Sequence, residues 1–362
     1  MQERLTIIAR CDLTGLGIQS RNFVRLLNPS KIVIINSEPF NGNKQYPEWY
    51  DGYKTITIDG FIKPGQINSV LDDTDTLLTF EIPYSVSYLL FARARERGIK
   101  TILQNNWEFL DYLQQPNLPL PDLLINHSYW NLYKQKELFP NMTEYCPSPT
   151  FMEDYEDVIK QNIARTDKIR FLHIAGRKTY EDRNGTNDLL ESVKLIPKEI
   201  DFELVIKTQT TEIGDIEDSR VTIDTSSPLD EKELYRDFDA MILPRRYAGA
   251  CLPMQEALAS SLPVIMTDID PNNKILPSLW LVPAEKKTSF SARTTIDVYS
   301  ADHEALAARI AQFAVMARTT LLDYKSMARN IAIREYSSES VLQKWNEITK
   351  NENNNNITGI KN

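Results

Sequence analysis

Residues 243–265 read LPRRYAGACLPMQEALASSLPVI. Leu243 closes the apolar run Ala240–Leu243, which reads as a strand ending at Pro244. Small residues follow, then Met254–Ser260 with helical spacing, then Leu262-Pro263 leading into the apolar run Val264–Thr267. A short buried strand, a small-residue loop, a helix and another short strand make one unit of a parallel α/β sheet. Pro253 fits an early helical position, where a missing N–H costs nothing. Free N–H groups at such a helix start can hold phosphate. Glu256 reads either as an acceptor for ribose hydroxyls or as an acid complementing the helix dipole.

The same rhythm runs outward from this segment. Upstream lie expected strands Arg170–Ile174, Glu203–Ile206 and Val221–Ile223, with helices Asn187–Leu195 and Glu231–Phe238 between strands. Residues 151–336 thus read as one doubly wound unit. The first 150 residues repeat the pattern, with strands Leu5–Ala9, Lys31–Asn36, Thr55–Ile58, Thr76–Phe80, Thr101–Gln104 and Leu123–Asn126. Helical patterns cover Ile18–Leu27, Ser85–Arg97 and Tyr129–Leu138. The stretch Cys146–Asp167, with Pro147, Pro149 and many charges, reads as the connection between domains. Leu306, Ile310, Phe313 and Met316 mark a late amphipathic helix. A last helix over about 337–350, capped by Ser337 or Ser338, carries Val341, Trp345 and Ile348 on one face and is expected to pack back on the first domain. Residues 351–362, NENNNNITGIKN, have little to bury and read as a disordered tail. The expected fold is α/β, two Rossmann-like doubly wound domains with a cleft between them.

Composition narrows the function. Hydrophobic residues make up 42% and charged residues 25% of 362, as in a soluble globular protein. Arg4, Arg10 and Asp12 bracket the first apolar run, and no apolar stretch is long enough to span a membrane. Cys11, Cys146 and Cys251 are too few and too scattered for a disulfide framework or a zinc site, which points to a reducing, cytoplasmic setting. The sequon Asn141-Met142-Thr143 is then a chance match. A net charge of −9 offers no bulk attraction to nucleic acid or acidic membranes.

Two further loops carry possible chemistry. Thr14–Ser20 (TGLGIQS) follows the first strand, and its Gly15 and Gly17 allow close approach of a phosphate or sugar, or simply a tight turn. With Ser20 in third place and Glu38 downstream, it is a weak dinucleotide fingerprint. Gly176–Gly185 (GRKTYEDRNG) places Arg177 and Arg183 near a helix start, where guanidinium groups can meet a diphosphate bidentately. Lys178 and Asp182 read as solvated loop residues. Metal readings are poor: Asp268-Ile269-Asp270 reads as a strand end and Asp72–Asp75 as a solvated loop. His127, His173 and His303 form no ligand pair, and His173 lies in a strand as a core residue. Cys251 reads as a small packing residue.

The 243–265 segment resembles the donor-site signature of retaining GT-B glycosyltransferases of the group 1 family, whose usual form is E-G-F-G-L-P-x-x-E-A-x-A-x-G-x-P-V. The glycine loop after the first strand, the Gly176–Gly185 loop, Glu233-Leu234-Tyr235 before Asp239, and Tyr336-Ser337-Ser338 with Trp345 extend the resemblance over nearly the whole chain. This version is similar to enzymes carried by bacteria and tailed phages. The resemblance implies that Glu256 holds the donor ribose, and that Gly249, Ala250, Cys251 and Leu252 offer backbone N–H groups to sugar or phosphate. It implies that Arg177 contacts the diphosphate, with Arg183 taking the place of the family's lysine, which is Asn184 here. Gly15 and Gly17 would face the donor from the first domain. The first glutamate of the family's pair is Ala248, so Arg245, Arg246 or backbone would recognise the sugar. The first domain's usual histidine is replaced by Asn105 or Asn106, which with Trp107 are acceptor-side candidates.

The reaction implied is transfer of a sugar from a nucleotide-sugar to an acceptor hydroxyl, with retention, no metal and no cofactor. Fixed cations and helix N-termini would stabilise charge developing on the diphosphate. The competing readings are an NAD(P)-dependent oxidoreductase, a nucleotide-sugar-binding protein that has lost catalysis, and a nucleotide-sugar epimerase. The acceptor stays open between a glycan, a protein and a modified DNA base. Trp107, Tyr129 and Trp130 read as core packing or as stacking surfaces.

Overall fold

The structure is a computed structural model that describes residues 3–176, 182–208, 213–214, 216–226, 230–247 and 249–355. Two compact units divide the chain: 1–149, 292–294 and 338–362 form unit 1, and 150–291 with 295–337 form unit 2.

Unit 1 is built on a parallel seven-stranded sheet, in the order β3-β2-β1-β4-β5-β6-β7. Its elements are β1 (Leu5–Ala9), α1 (Gly15–Leu27), β2 (Lys31–Asn36), α2 (Glu38–Asn41), β3 (Thr55–Asp59), α3 (Ile67–Leu71), β4 (Thr76–Phe80), α4 (Leu89–Glu96), β5 (Lys100–Asn105), β6 (Leu123–Asn126), α5 (Leu132–Leu138) and β7 (Thr143–Tyr145). The central strands are buried on both faces, which is why LTIIA, KIVIIN and TLLTF are nearly unbroken apolar runs. β1 pairs with β2 through Ile7–Ile32 and with β4 through Ile7–Leu78. The chain winds outward to β3, then crosses to β4 on the other side of β1. The order therefore reverses at β1/β4, and the carboxyl ends of these strands bound the crevice where such sheets bind ligands.

Unit 2 repeats the design with six parallel strands, β10-β9-β8-β11-β12-β13, and a separate antiparallel pair β14-β15. Its elements are α6 (Glu156–Ala164), β8 (Arg170–Gly176), α7 (Thr186–Lys194), β9 (Glu203–Thr208), β10 (Val221–Asp224), β11 (Ala240–Leu243), α8 (Leu252–Ala259), β12 (Val264–Thr267), α9 (Asn272–Ile275), β13 (Leu281–Val282), β14 (Ala284–Ser291), β15 (Thr295–Ala301), α10 (His303–Ala314) and α11 (Arg318–Tyr336). The reversal here falls at β8/β11. A buried ion cluster braces the sheet: Asp239 receives Lys325 Nζ at 2.9 Å, Arg318 Nη1 at 2.9 Å, Arg165 Nε at 3.2 Å and the Arg170 amide at 3.0 Å. Burial works to raise the Asp239 carboxyl, but these cations hold it below its usual value.

The chain then returns to unit 1 as α12 (Ser338–Asn355). Val341 and Trp345 enter the unit 1 core, where the Trp345 ring lies 6.2 Å from Phe23, itself 5.4 Å from Phe80. Among the described residues no single helix is long and apolar enough to cross a membrane.

Three expectations need correcting. The 146–167 stretch is not a bare connection: a 3-10 turn over Met152–Tyr155 and α6 occupy most of it. Asn162 makes α6 structural, since its amide donates to the Tyr235 and Ser260 carbonyls, both at 3.0 Å. The Glu231–Phe238 helix is only a 3-10 turn over Glu231–Tyr235, because the chain leaves helical geometry at Arg236 and is left-handed at Asp237. The expected disordered tail begins too early, as α12 continues through Asn355; an existing helix gains one hydrogen bond for each residue added. Residues 356–362 lie outside the described residues.

Candidate active site

The two loops at the unit 2 reversal are locked together. Asn184 closes the base of the loop after β8, donating to the Ile174 carbonyl at 2.9 Å. Gly185 has φ 72°, and a Cβ there would run into the Pro244 carbonyl oxygen, so only glycine lets the two backbones meet. The Arg246 amide donates to the Arg183 carbonyl at 2.9 Å across the same seam.

Asp182 is not the solvated residue its sequence position suggests. Its carboxylate accepts the amides of Thr186 at 3.1 Å and Asn187 at 2.8 Å, capping α7. Those first-turn donors are therefore spent within the protein. Arg183 lies with its guanidinium 4.8 Å from the centre of the Tyr247 ring. Tyr247 in turn meets Phe290 of β14 edge-on at 5.3 Å. The hairpin supports the neighbouring residue too, since Arg246 Nε and the Arg246 carbonyl both bond the Tyr299 backbone at 2.8 Å. Arg177 and Lys178 lie outside the described residues, as does Ala248.

Arg245 is 3% exposed. Its Nε donates to the Tyr247 carbonyl at 3.1 Å, and its Nη1 reaches Cys251 Sγ at 3.2 Å and Asn184 Oδ1 at 3.5 Å. It stitches the small-residue loop from inside, a different position from the sugar contact expected of it. Gly249 is buried and Ala250 half-buried, and Cys251 is the buried N-cap of α8. Leu252 opens the helix; Pro253 carries no N–H, and the Met254 and Gln255 amides both donate to the Cys251 carbonyl, at 3.0 and 3.1 Å.

Glu256 sits half-buried in the second turn of α8. The Tyr235 hydroxyl donates to its Oε2 at 2.6 Å. Burial, with the Glu256 charge, pushes the Tyr235 phenol well above its ordinary value, so it stays a donor. Tyr235 escapes a sequence reading because nothing 21 residues upstream marks it as a partner of Glu256. His173 is a core residue, bonded to the Ile242 carbonyl at 2.8 Å and Thr186 Oγ1 at 2.9 Å, and burial pushes it down to about 4.

In unit 1, Gly17 packs against the Asp12 carbonyl so closely that no Cβ fits, and Thr14 caps α1 through Oγ1, 3.3 Å from the Gly17 amide. This is the tight-turn reading of the glycine loop; Gly15 is exposed. Asn105 is buried and spent on Gln135 through two bonds of 2.9 Å. Asn106 is half-exposed and donates to Glu81 Oε1 at 2.8 Å. Trp107 is buried, with Lys134 Nζ 6.0 Å from its ring centre. Glu81 was marked by no motif; the only signal is a carboxylate directly after a fully buried strand. Among the described residues no three His, Cys, Asp or Glu side chains gather as a metal site.

Residues 170–313 match the family model for glycosyl transferases group 1, so unit 2 carries a group 1 glycosyltransferase domain. No curated protein matches the chain in sequence. Solved structures match over both units and show the GT-B fold. A glycosyltransferase from Rickettsia africae superposes with a TM-score of 0.66 at 16% identity, covering 97% of this chain and 100% of that one. Anabaena Alr3699/HepE in complex with UDP gives 0.69 at 10% identity, over 97% and 100%. A sucrose-phosphate synthase from Thermosynechococcus elongatus gives 0.66 at 13% identity, over 98% and 100%.

Proposed function

We propose that this chain, with its group 1 glycosyltransferase domain in unit 2, moves a sugar from a nucleoside-diphosphate sugar to an acceptor hydroxyl. The observation that carries the reading is Glu256, placed beside the β8/β11 reversal and held by Tyr235 at 2.6 Å. A carboxylate is an acceptor at both oxygens, the chemistry that ribose hydroxyls call for. UDP bound to the HepE structure makes uridine diphosphate sugars the first donors to try.

Unit 2 holds the donor in this reading. Asp182 takes the first amides of α7, so charge on the diphosphate falls to Arg183, to Arg177, and to the amides of Gly249–Leu252 at the start of α8. The bond from the anomeric carbon to the diphosphate oxygen breaks with its electron pair going to the diphosphate. The acceptor oxygen bonds the same carbon, and its proton passes to the departing diphosphate. Donors fixed where charge develops lower this barrier without reorganising. The arginines supply that charge without a metal ion, and the family resemblance favours retention.

A thermal-shift panel tests the reading: UDP-, GDP-, ADP- and TDP-sugars and NAD(P), with and without EDTA. A ligand at a hundredfold excess over its dissociation constant stabilises by about 2.7 kcal/mol. Stabilisation by one nucleotide-sugar, unchanged by EDTA and lost in Glu256→Ala and Arg177→Ala, is expected. A response to NAD(P) alone would replace this reading with the oxidoreductase. Binding without turnover, with any acceptor or by hydrolysis, would mark a chain inactive through Ala248.

A further inference from the structure

Arg183, Arg245 and Arg246 meet where the loop after β8 joins the loop after β11, and each is held in a different way. Arg245 is turned inward onto the Tyr247 carbonyl and Cys251 Sγ. Arg246 gives its Nε to the Tyr299 carbonyl at 2.8 Å. Burial raises the neighbouring Asp182 carboxyl, and the Arg246 charge pulls it the other way. Arg183 is half-buried, with its guanidinium 4.8 Å from the centre of the Tyr247 ring. A guanidinium is flat, and its N–H donors lie in its plane. An aromatic ring takes the face and leaves that edge to meet phosphate oxygens. The contacts of Arg245 and Arg246 are instead made by the N–H groups themselves.

The ring beside Arg183 is held by residues far away in sequence. Tyr247 is 3% exposed, and its ring meets Phe290 at 5.3 Å with 73° between their planes. Phe290 lies on β14 opposite Ile296 of β15, and Ile296 and Val298 root the hairpin in buried surface. The Tyr299 amide donates to the Arg246 carbonyl at 2.8 Å, so together with the Nε bond the two residues are joined in both directions. At the foot of the hairpin, Asp188 of α7 accepts Ser300 Oγ at 3.0 Å and the Ala301 amide at 2.9 Å. The helix α7 begins directly after the loop that carries Arg183. The hairpin is thus tied to both loops of the donor site, although most of β14 is exposed.

We propose that Tyr247 is a positioning residue for the diphosphate, and that the β14-β15 hairpin is part of the donor site, because Phe290 holds Tyr247 and Tyr247 holds Arg183. The inference rests on the glycosyl-transfer reading and adds to it the element that aims the cation. A long side chain with free rotamers spends part of its attraction on being ordered. A stacked guanidinium meets the diphosphate already in place, which is the condition for stabilising charge as it develops. The support serves phosphate alone, since the ribose falls to Glu256.

The test is binding to the full chain by isothermal titration, with a nucleoside diphosphate and its parent nucleoside as paired probes. The pair is chosen from UDP, GDP, ADP and TDP as the one the unmodified protein binds best, and the nucleoside is measured by displacement. Tyr247→Leu should weaken the diphosphate about tenfold and leave the nucleoside unchanged. Tyr247→Phe keeps the ring face and should bind both like the parent. Phe290→Leu changes a half-buried position where an aliphatic side chain still packs, so it folds even where Tyr247→Leu does not. It should weaken the diphosphate about threefold. In an Arg183→Gln background the Tyr247→Leu loss should vanish, because no guanidinium is left to place. A packing role alone would weaken nucleoside and diphosphate together, and that result would overturn the proposal. So would a Tyr247→Leu effect undiminished without Arg183, or parental diphosphate affinity in both Tyr247→Leu and Phe290→Leu. A loss in Tyr247→Phe as large as in Tyr247→Leu would assign the effect to the hydroxyl and overturn it as well. Failure of the unmodified protein to bind any of the four diphosphates removes the donor reading and this inference together; binding that the variants leave unchanged removes this inference alone.

Discussion

Replacing Tyr235 by phenylalanine removes one oxygen from beside Glu256 and changes nothing else in the covalent structure. Tyr235 is 1% exposed, and its hydroxyl donates to Glu256 Oε2 at 2.6 Å. A hydrogen bond to a charged group contributes about 1.5–3 kcal/mol. About 1 kcal/mol of that lost as orientation of the carboxylate weakens donor binding roughly fivefold. The remainder appears as stability, lowering Tm by about 2–4 °C per kcal/mol in a domain of this size class. Isothermal titration with the best nucleotide-sugar, well below the melting range, reads the first effect, and a melt reads the second. Glu256→Ala in the same assay sets the floor. Parental affinity in Tyr235→Phe alongside a lowered Tm would show that Tyr235 only packs the domain, and the argument for a pre-oriented Glu256 would fail.

Three other perturbations have directions set by the geometry. Gly185→Ala cannot keep both φ 72° and the approach to Pro244, so urea unfolding should show a loss of about 2 kcal/mol or more, with donor binding lost as the two loops part. Lys325→Met leaves Asp239 buried short of its closest ammonium and should cost about 3–5 kcal/mol, part of which returns in the double variant with Asp239→Asn. His127 and His173 are pushed by burial from 6.5 to about 4, so each binds its proton less readily folded than unfolded. Their contribution is complete above about pH 6.5 and is lost as pH falls toward 4, on the order of 3 kcal/mol each. Denaturation midpoints should fall over that window, and His173→Gln should flatten part of the slope.

The strands were legible because a parallel sheet buried on both faces leaves continuous apolar runs such as Ile32–Ile35 and Met241–Leu243. The β14-β15 hairpin left no such trace. AEKKTSFS is exposed along most of its length, and the buried hydrophobics of its partner, Ile296, Val298 and Ala301, are separated by polar or half-buried positions. At the site, Glu256 could be read from its motif, but its partner Tyr235 is set by tertiary packing. Charged loop residues were the least readable. Arg245 looked like a ligand contact and is buried against a carbonyl and a thiol; Asp182 looked solvated and is a helix cap. Asp182 answers to the Thr186 and Asn187 amides at its own helix start, and Arg245 to the Tyr247 carbonyl, Cys251 Sγ and Asn184 Oδ1, so the turn of each loop rather than its composition decides the side chain's place.

The return of the chain to unit 1 has a consequence for synthesis. α12 leaves the ribosome only after all of unit 2, yet Val341 and Trp345 belong to the same core as Phe23 and Phe80. Unit 2 is continuous but for three residues, and its ends meet where the Thr150 amide bonds the Tyr336 carbonyl at 2.7 Å. The later-made half can thus finish folding first, while the earlier-made sheet waits with an apolar groove open beside α1. A nascent chain stalled near residue 337 would present that groove to chaperones, and eighteen more residues would close it.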